Sequence, residues 1–167
     1  PGDEHVILQE FLSYISRFKA IVTYNGDTFD IPYIISRCKY NGLSTDSVFS
    51  QERIDLYKTA RQVNSLLKLG NLKQKNIENF LSIDRDDIYS GGELIDTYKE
   101  YIIKYKLKED TFAELSRLLL HNREDICALP EICSILSLRQ LLSDDLSLLK
   151  FVNSSIKSGV LNYKFKT

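Results

Sequence analysis

Five residues constrain this chain more than any others: Ala20-Ile21-Val22-Thr23-Tyr24, a short, β-branched, apolar run. A run this short and this apolar reads as a strand in a sheet covered on both faces. Asn25-Gly26-Asp27 ends it with turn chemistry. Pro32 then suits the first turn of a helix. Ile31, Ile34, Ile35 and Cys38 form that helix's apolar stripe, and Asn41-Gly42 stops it. The unit is strand, polar loop, helix, so the expected fold class is α/β.

The flanking segments extend this pattern. Ile7, Leu8, Phe11, Leu12, Ile15 and Phe18 recur at helical spacing over residues 4–18. Residues 53–57 offer a second short strand, and a helix is expected near 57–68 with Leu56, Ala60, Val63 and Leu67 inward. Further helices are expected over 71–81, 93–105, 110–120 and 123–138, with a polar helix near 138–150. In the 93–105 helix, Leu94, Ile95, Tyr98, Tyr101, Ile102 and Tyr105 form a stripe of the kind that is usually core. Pro130 marks a kink or boundary near Leu129. The tail Val160-Leu161-Asn162-Tyr163-Lys164-Phe165 alternates and reads as a late strand or a docked end.

Composition bounds the function classes. With 167 residues, 43% of them hydrophobic, a single domain over 1–167 with a real core is expected. Lys+Arg number 22 and Asp+Glu 23, which excludes a uniformly basic tail or an acidic disordered chain. The charge is nonetheless uneven. From Leu56 to Ile77 there are five basic residues (Lys58, Arg61, Lys68, Lys73 and Lys75) and no acid. Such a stretch is either an ordinary solvated face or a phosphate-contacting surface. No apolar run approaches the roughly 18–20 residues of a membrane helix, and no signal peptide is expected. Cys38, Cys127 and Cys133 form no C-x-x-C pair and read as small buried hydrophobes in a reducing, cytoplasmic setting. His5 and His121 are the only histidines, so any metal ligands should be carboxylates, which favour a hard ion.

Two segments concentrate polar chemistry. In Tyr24-Asn25-Gly26-Asp27-Thr28-Phe29-Asp30, Asp30 follows the strand at a helix start. It could cap that helix or hold a metal, and the helix N-terminus favours its charge in either role. In His121-Asn122-Arg123-Glu124-Asp125, a helical backbone would place His121 and Asp125 on one face. A carboxylate there could hold a divalent ion while the imidazole takes a proton from water. A solvated helix junction with Asn122 as N-cap explains the same residues.

Taken together, N-G-x-x-F-D after a strand and L-H-N-x-x-D roughly a hundred residues later resemble the RNase H-like 3′–5′ exonucleases. The likeness is greatest to the YprB-type branch of the DEDD, or DnaQ-like, superfamily. It runs from about residue 7 to residue 137 and is carried by 24–37, 53–56, 71–83 and 118–129, with Arg85-Asp86-Asp87 and Gly91-Gly92 between. The resemblance implies that Asp30 and Asp125 are metal ligands and that His121 is the general base. It implies that Asn25 and Phe29 shape the floor under the terminal nucleotide, with Asn122 nearby. It also raises Lys58, Arg61 and Lys68 as nucleic-acid contacts, and gives Asp55 a supporting role. Two Mg²⁺ or Mn²⁺ ions would complete such a site.

The chain departs from the pattern twice. Three residues separate His121 from Asp125, the spacing of the superfamily's tyrosine-type members. There is also no D-x-E strand; Asp3 and Glu4 are adjacent. Together with the absence of Met, this leads to the expectation that the front of the domain precedes Pro1. The expected fold is then RNase H-like and helix-rich, with a reduced sheet whose exposed edge the tail could cover. The expected function is metal-dependent exonuclease action on DNA or RNA. The alternative is an inactive RNase H-like module that binds nucleic acid or a protein.

Overall fold

The computed structural model describes residues 3–46, 50–143, 150–157 and 160–166. The elements run α1 (Glu4–Ile15), β1 (Ala20–Thr23), α2 (Asp30–Tyr40), β2 (Glu52–Asp55), α3 (Leu56–Leu67), α4 (Gln74–Leu81), α5 (Gly91–Leu107), α6 (Phe112–Cys127), α7 (Leu129–Ile132) and α8 (Leu136–Ser143). A 3-10 turn at Cys133–Ile135 joins the last two helices, and β3 (Lys150–Lys157) and β4 (Val160–Lys166) follow. Among the described residues, no helix is long and apolar enough to cross a membrane.

The expected strand and its partner form a small parallel sheet. β1 and β2 pair from Ala20↔Glu52 to Thr23↔Asp55, with α2 as the crossover. Parallel neighbours require such a crossover, because a tight turn can join only antiparallel strands. Successive β1 side chains serve opposite faces. Ile21 packs with Ile15, Ile31, Phe11, Leu12, Ile34 and Ile35 between α1 and α2. Val22 and Tyr24 pack instead against the larger cluster. That cluster joins Leu56, Ala60, Val63, Leu66 and Leu67 of α3 to Ile77 of α4 and to Ala128, Ile132, Ile135 and Leu138. The result is a helix-rich α/β fold in which helices cover both faces of a two-stranded sheet.

Several expectations need correction. The segment 110–138 does not break at His121-Asn122. α6 runs unbroken to Cys127, so Asn122 lies inside a helix and caps nothing. The boundary falls at Ala128, where Pro130 occupies the first turn of α7 and its missing N–H costs nothing. The aromatic stripe of α5 is largely surface. Leu94 and Thr97 are buried, but Ile95, Tyr98 and Tyr105 are exposed. Their spacing is satisfied by ring stacking along the helix, with Tyr98–Tyr101 and Tyr101–Tyr105 centroids 6.3 and 6.0 Å apart. α5 also starts earlier than expected. Gly91 and Gly92 are helical because Ser90 and Glu93 close a reciprocal capping box. On α1, Ile7 and Phe18 are exposed, and the helix ends at Ile15. Cys38 is buried as expected, but Cys127 is exposed; all three cysteines are free. Part of the helix expected near 138–150 falls on 144–149, outside the described residues, while Lys150 already lies in β3. The tail is a strand, yet β4 pairs antiparallel with β3 and not with β1. Among the described residues, β1 is therefore paired on one edge only.

Candidate active-site cleft

The loop after β1 is built by backbone geometry and by one buried acid. Asn25 has φ 62°, a left-handed conformation that asparagine tolerates. At Gly26 a Cβ would come within 2.5 Å of the Thr23 side chain, so only glycine fits. Asp55, at the end of β2, accepts from the backbone N–H of Asn25 (2.8 Å) and of Asp27 (3.2 Å). Its Oδ1 also accepts from Tyr57 N (3.0 Å), capping α3. The supporting role expected for Asp55 is thus a concrete one: a single carboxylate fastens the loop after β1 to the strand beside it. Tyr24 adds a second tie, its hydroxyl donating to the Leu72 carbonyl (2.7 Å). Burial pushes that phenol well above its usual range, and the neighbouring Tyr57, Asp55 and Glu78 add to the rise.

This loop delivers Asp30 to the first position of α2, where the carboxylate is exposed. Asp30 lines a cleft of about 350 Å³ with Thr23 and Tyr24 of the sheet, Gln74 of α4, and Asn122 and Asp125 of α6. Asp30 of the first sequence segment therefore meets Asn122 and Asp125 of the second across one cleft at the carboxyl end of β1, while His121 lies outside the residues that line it. A second cleft, about 480 Å³, adjoins it and is lined by Tyr24, Asn25, Phe29, Tyr57 and Lys73. Phe29 is 65% exposed there.

Asp125 is held very differently from Asp30. His121 and Asp125 are four residues apart on α6, and His121 Nε2 lies 3.2 Å from Asp125 Oδ2. Arg85 Nη1 donates to Asp125 Oδ1 (2.8 Å) and to both oxygens of Glu78 (2.9 Å each). Arg85 Nη2 reaches Asp87 (3.1 Å), and Glu124 lies 3.4 Å from its Nε. Glu78 is fully buried, so the guanidinium supplies the charge that makes its burial tolerable. Burial opposes the Arg85 charge, but its bonds to Glu78 and Asp125 hold its pKa above even the usual guanidinium range. Gln74 completes the junction, donating to Glu78 Oε1 and to the Asp125 carbonyl, each at 2.8 Å.

The remaining sequence candidates are dispersed. Lys58 is paired with Asp27, which Arg53 also approaches at 3.5 Å. Arg61 is exposed along α3. Lys68 caps the far end of α3, about 15 Å of helix from Lys58. Lys75 is paired with Asp87, its side chain partly exposed. Sequence patterning assigned no role to Arg85, Asp87, Glu78 or Glu124. Arg85-Asp86-Asp87 stood out only by family likeness, and Glu78 gave no signal beyond its position next to Ile77.

A two-ion centre asks for more than these residues supply. Among the described residues, no group of three or more His, Cys, Asp or Glu could hold a metal ion. The cleft offers two carboxylates, and one is already neutralised by a guanidinium. These residues alone do not fit a pair of divalent ions.

A model of the RNase_H superfamily matches residues 1–137. A stretch of 44 residues is 50% identical to the catalytic polypeptide of DNA polymerase epsilon from Dictyostelium discoideum, covering 25% of this chain and 2% of that protein. No solved structure matches the chain. With the family match spanning most of its length and a βαβ unit that delivers acids to one cleft, the chain belongs to the RNase_H superfamily.

Proposed function

We propose that this chain is part of a 3′–5′ exonuclease of the YprB-like, DnaQ-like kind, hydrolysing phosphodiester bonds at a single-stranded end of DNA or RNA. The observation that carries the reading is the convergence of Asp30 and Asp125 on one cleft at the end of β1. Support also comes from the superfamily match and from the stretch shared with a DNA polymerase. In this reading His121 takes the proton of the attacking water. Asn25, Phe29 and Asn122 contact the terminal nucleotide, and Lys58, Arg61 and Lys68 offer charge to the backbone. Mg²⁺ or Mn²⁺ would supply charge stabilisation of the leaving oxygen, and needs carboxylate ligands beyond Asp30 and Asp125. The test is release of mononucleotides from end-labelled single-stranded DNA and RNA with either ion. Equal background release by wild type and Asp30→Ala defeats the reading.

A second reading rests on the Arg85–Asp125 pair. An acid already paired with a guanidinium is a poor metal ligand, which suits a module that binds nucleic acid or a protein without cleaving. Calorimetric titration with Mn²⁺ separates the two. Tight two-site binding to this chain excludes the inactive module.

A further inference from the structure

The geometry points to Asp87 as the positioning residue for His121: it grips the imidazole by Nδ1 and thereby aims Nε2 at Asp125 on the cleft wall. This rests on the reading of His121 as the base. Asp87 lies 34 residues away in sequence, on the loop between α4 and α5, and its side chain is 1% exposed. His121 Nδ1 is 2.6 Å from Asp87 Oδ2, a shorter contact than the 3.2 Å between Nε2 and Asp125.

The carboxylate has a single place to be. Its Oδ1 accepts from Tyr89 N (3.0 Å), and its Oδ2 accepts from Lys75 Nζ (2.8 Å) and Arg85 Nη2 (3.1 Å) as well as facing His121. The loop is itself fastened to α6. The backbone N–H groups of Asp86 and Asp87 donate to the two oxygens of Glu124, at 3.0 and 2.9 Å. Glu124 sits three residues after His121 on that helix, so the gripping acid and the gripped ring share one rigid frame.

Burial would raise the Asp87 pKa, but the bonds from Lys75, His121 and Tyr89 N hold it well below the usual carboxylate range. An ionised carboxylate only accepts, so the hydrogen of this contact belongs to Nδ1. Flipping the ring would set a carbon against Asp87 and lose the shorter contact. The arrangement is that of an acid orienting a histidine, which fixes Nε2 as the nitrogen on the Asp125 side.

A leucine at 87 offers no acceptor and cannot reproduce the grip, whereas an asparagine oxygen turned toward Lys75, Arg85 and His121 still accepts from Nδ1.

The chain has two histidines, so ¹⁵N-histidine labelling gives two imidazoles, with exposed His5 as an internal control. The expected wild-type spectrum shows a downfield, exchange-protected Nδ1 proton for His121. In Asp87→Leu that proton is lost while His5 is unchanged. In the nuclease assay the variant lowers kcat by about tenfold or more and leaves KM within about twofold. A rapidly exchanging His121 Nδ1 proton in the wild type overturns the inference, and this measurement stands even if the variant does not fold. An unchanged Nδ1 proton in folded Asp87→Leu also overturns it. A protected proton in a wild-type chain without nuclease activity keeps the grip and removes the exonuclease reading. Activity with an ungripped ring does the reverse.

Discussion

Asp30 and Asp125 line the same cleft, yet they are held in opposite ways. Asp125 is fixed by Arg85 and contacts His121, behind which lie buried Glu78 and Asp87. Asp30 is exposed at a helix start, and its side chain makes no hydrogen bond or ion pair among the described residues. The α6 wall is rigid because a buried charge network has one low-energy arrangement. The α2 wall rests on backbone geometry, on Asp55 and on the smaller apolar cluster. One wall is thus organised before any ligand arrives, whereas the other keeps its carboxylate free to meet one.

The largest test of this contrast is to take the centre out of the rigid wall. Arg85→Met strands Glu78 in the interior and takes one of two cations from Asp87, and removing one side of a buried charge network costs about 3–5 kcal/mol. Urea midpoints should register that loss. The double variant Arg85→Met/Glu78→Leu should recover a large part of it, because the fully buried carboxylate is gone as well. A loss under about 1 kcal/mol for the single variant would mean that the network is solvated and the contrast is false.

The next test acts on the other wall. Asp55→Ala leaves the N–H groups of Asn25, Asp27 and Tyr57 without their acceptor and uncaps α3. The expected cost is about 2–3 kcal/mol. Amide exchange should show faster opening at 25–27 and little change at 121–125. Equal loosening of both regions would show that the two walls are a single unit.

A smaller effect follows from acid. The folded Asp87 carboxyl is held below its ordinary value, so it contributes stability that is complete above the unfolded value, about pH 4. That contribution disappears as pH falls through the folded value. Asp87→Asn should therefore flatten the acid limb of the stability curve below about pH 4, by a term of order 1 kcal/mol. An unchanged acid limb would remove Asp87 from the network.

How much of this was legible in the sequence depends on whether an element is specified locally. The β1–loop–α2 unit was legible, because β-branched residues, Asn-Gly and Pro32 each act within a few residues of themselves. The inward face of α3 followed from periodicity alone. The pairing of His121 with Asp125 required only that the backbone be helical. The charge network was not legible, since Arg85 meets Asp125 across 40 residues and Glu78 sits where periodicity expects no acid. The α5 stripe misled because stacked tyrosines at helical spacing look alike whether a core or solvent lies beyond them. The unbroken α6 was missed because His121 and Asn122 resemble a junction, while the packing that carries the helix through them is tertiary.

The smallest expected effect is also the one that separates the two acids most cleanly. Asp30→Asn removes a charge from an exposed side chain at the start of α2. The helix end alone accounts for about 0.3–1 kcal/mol, and solvent exposure favours the lower figure. Asp125→Asn, by contrast, takes the charge out of the 2.8 Å bond from Arg85 and disturbs the neighbour of His121. Its cost should exceed that of Asp30→Asn by about 1–2 kcal/mol. Measured side by side in urea, the pair reports on preorganisation directly. If Asp30→Asn is the costlier change, the α2 wall is the fixed one and the roles of the two walls are reversed. If the two cost the same, both acids are structural. If Asp30→Asn is nearly silent in stability yet abolishes nucleotide release, the unpartnered carboxylate is kept for a ligand and not for the fold.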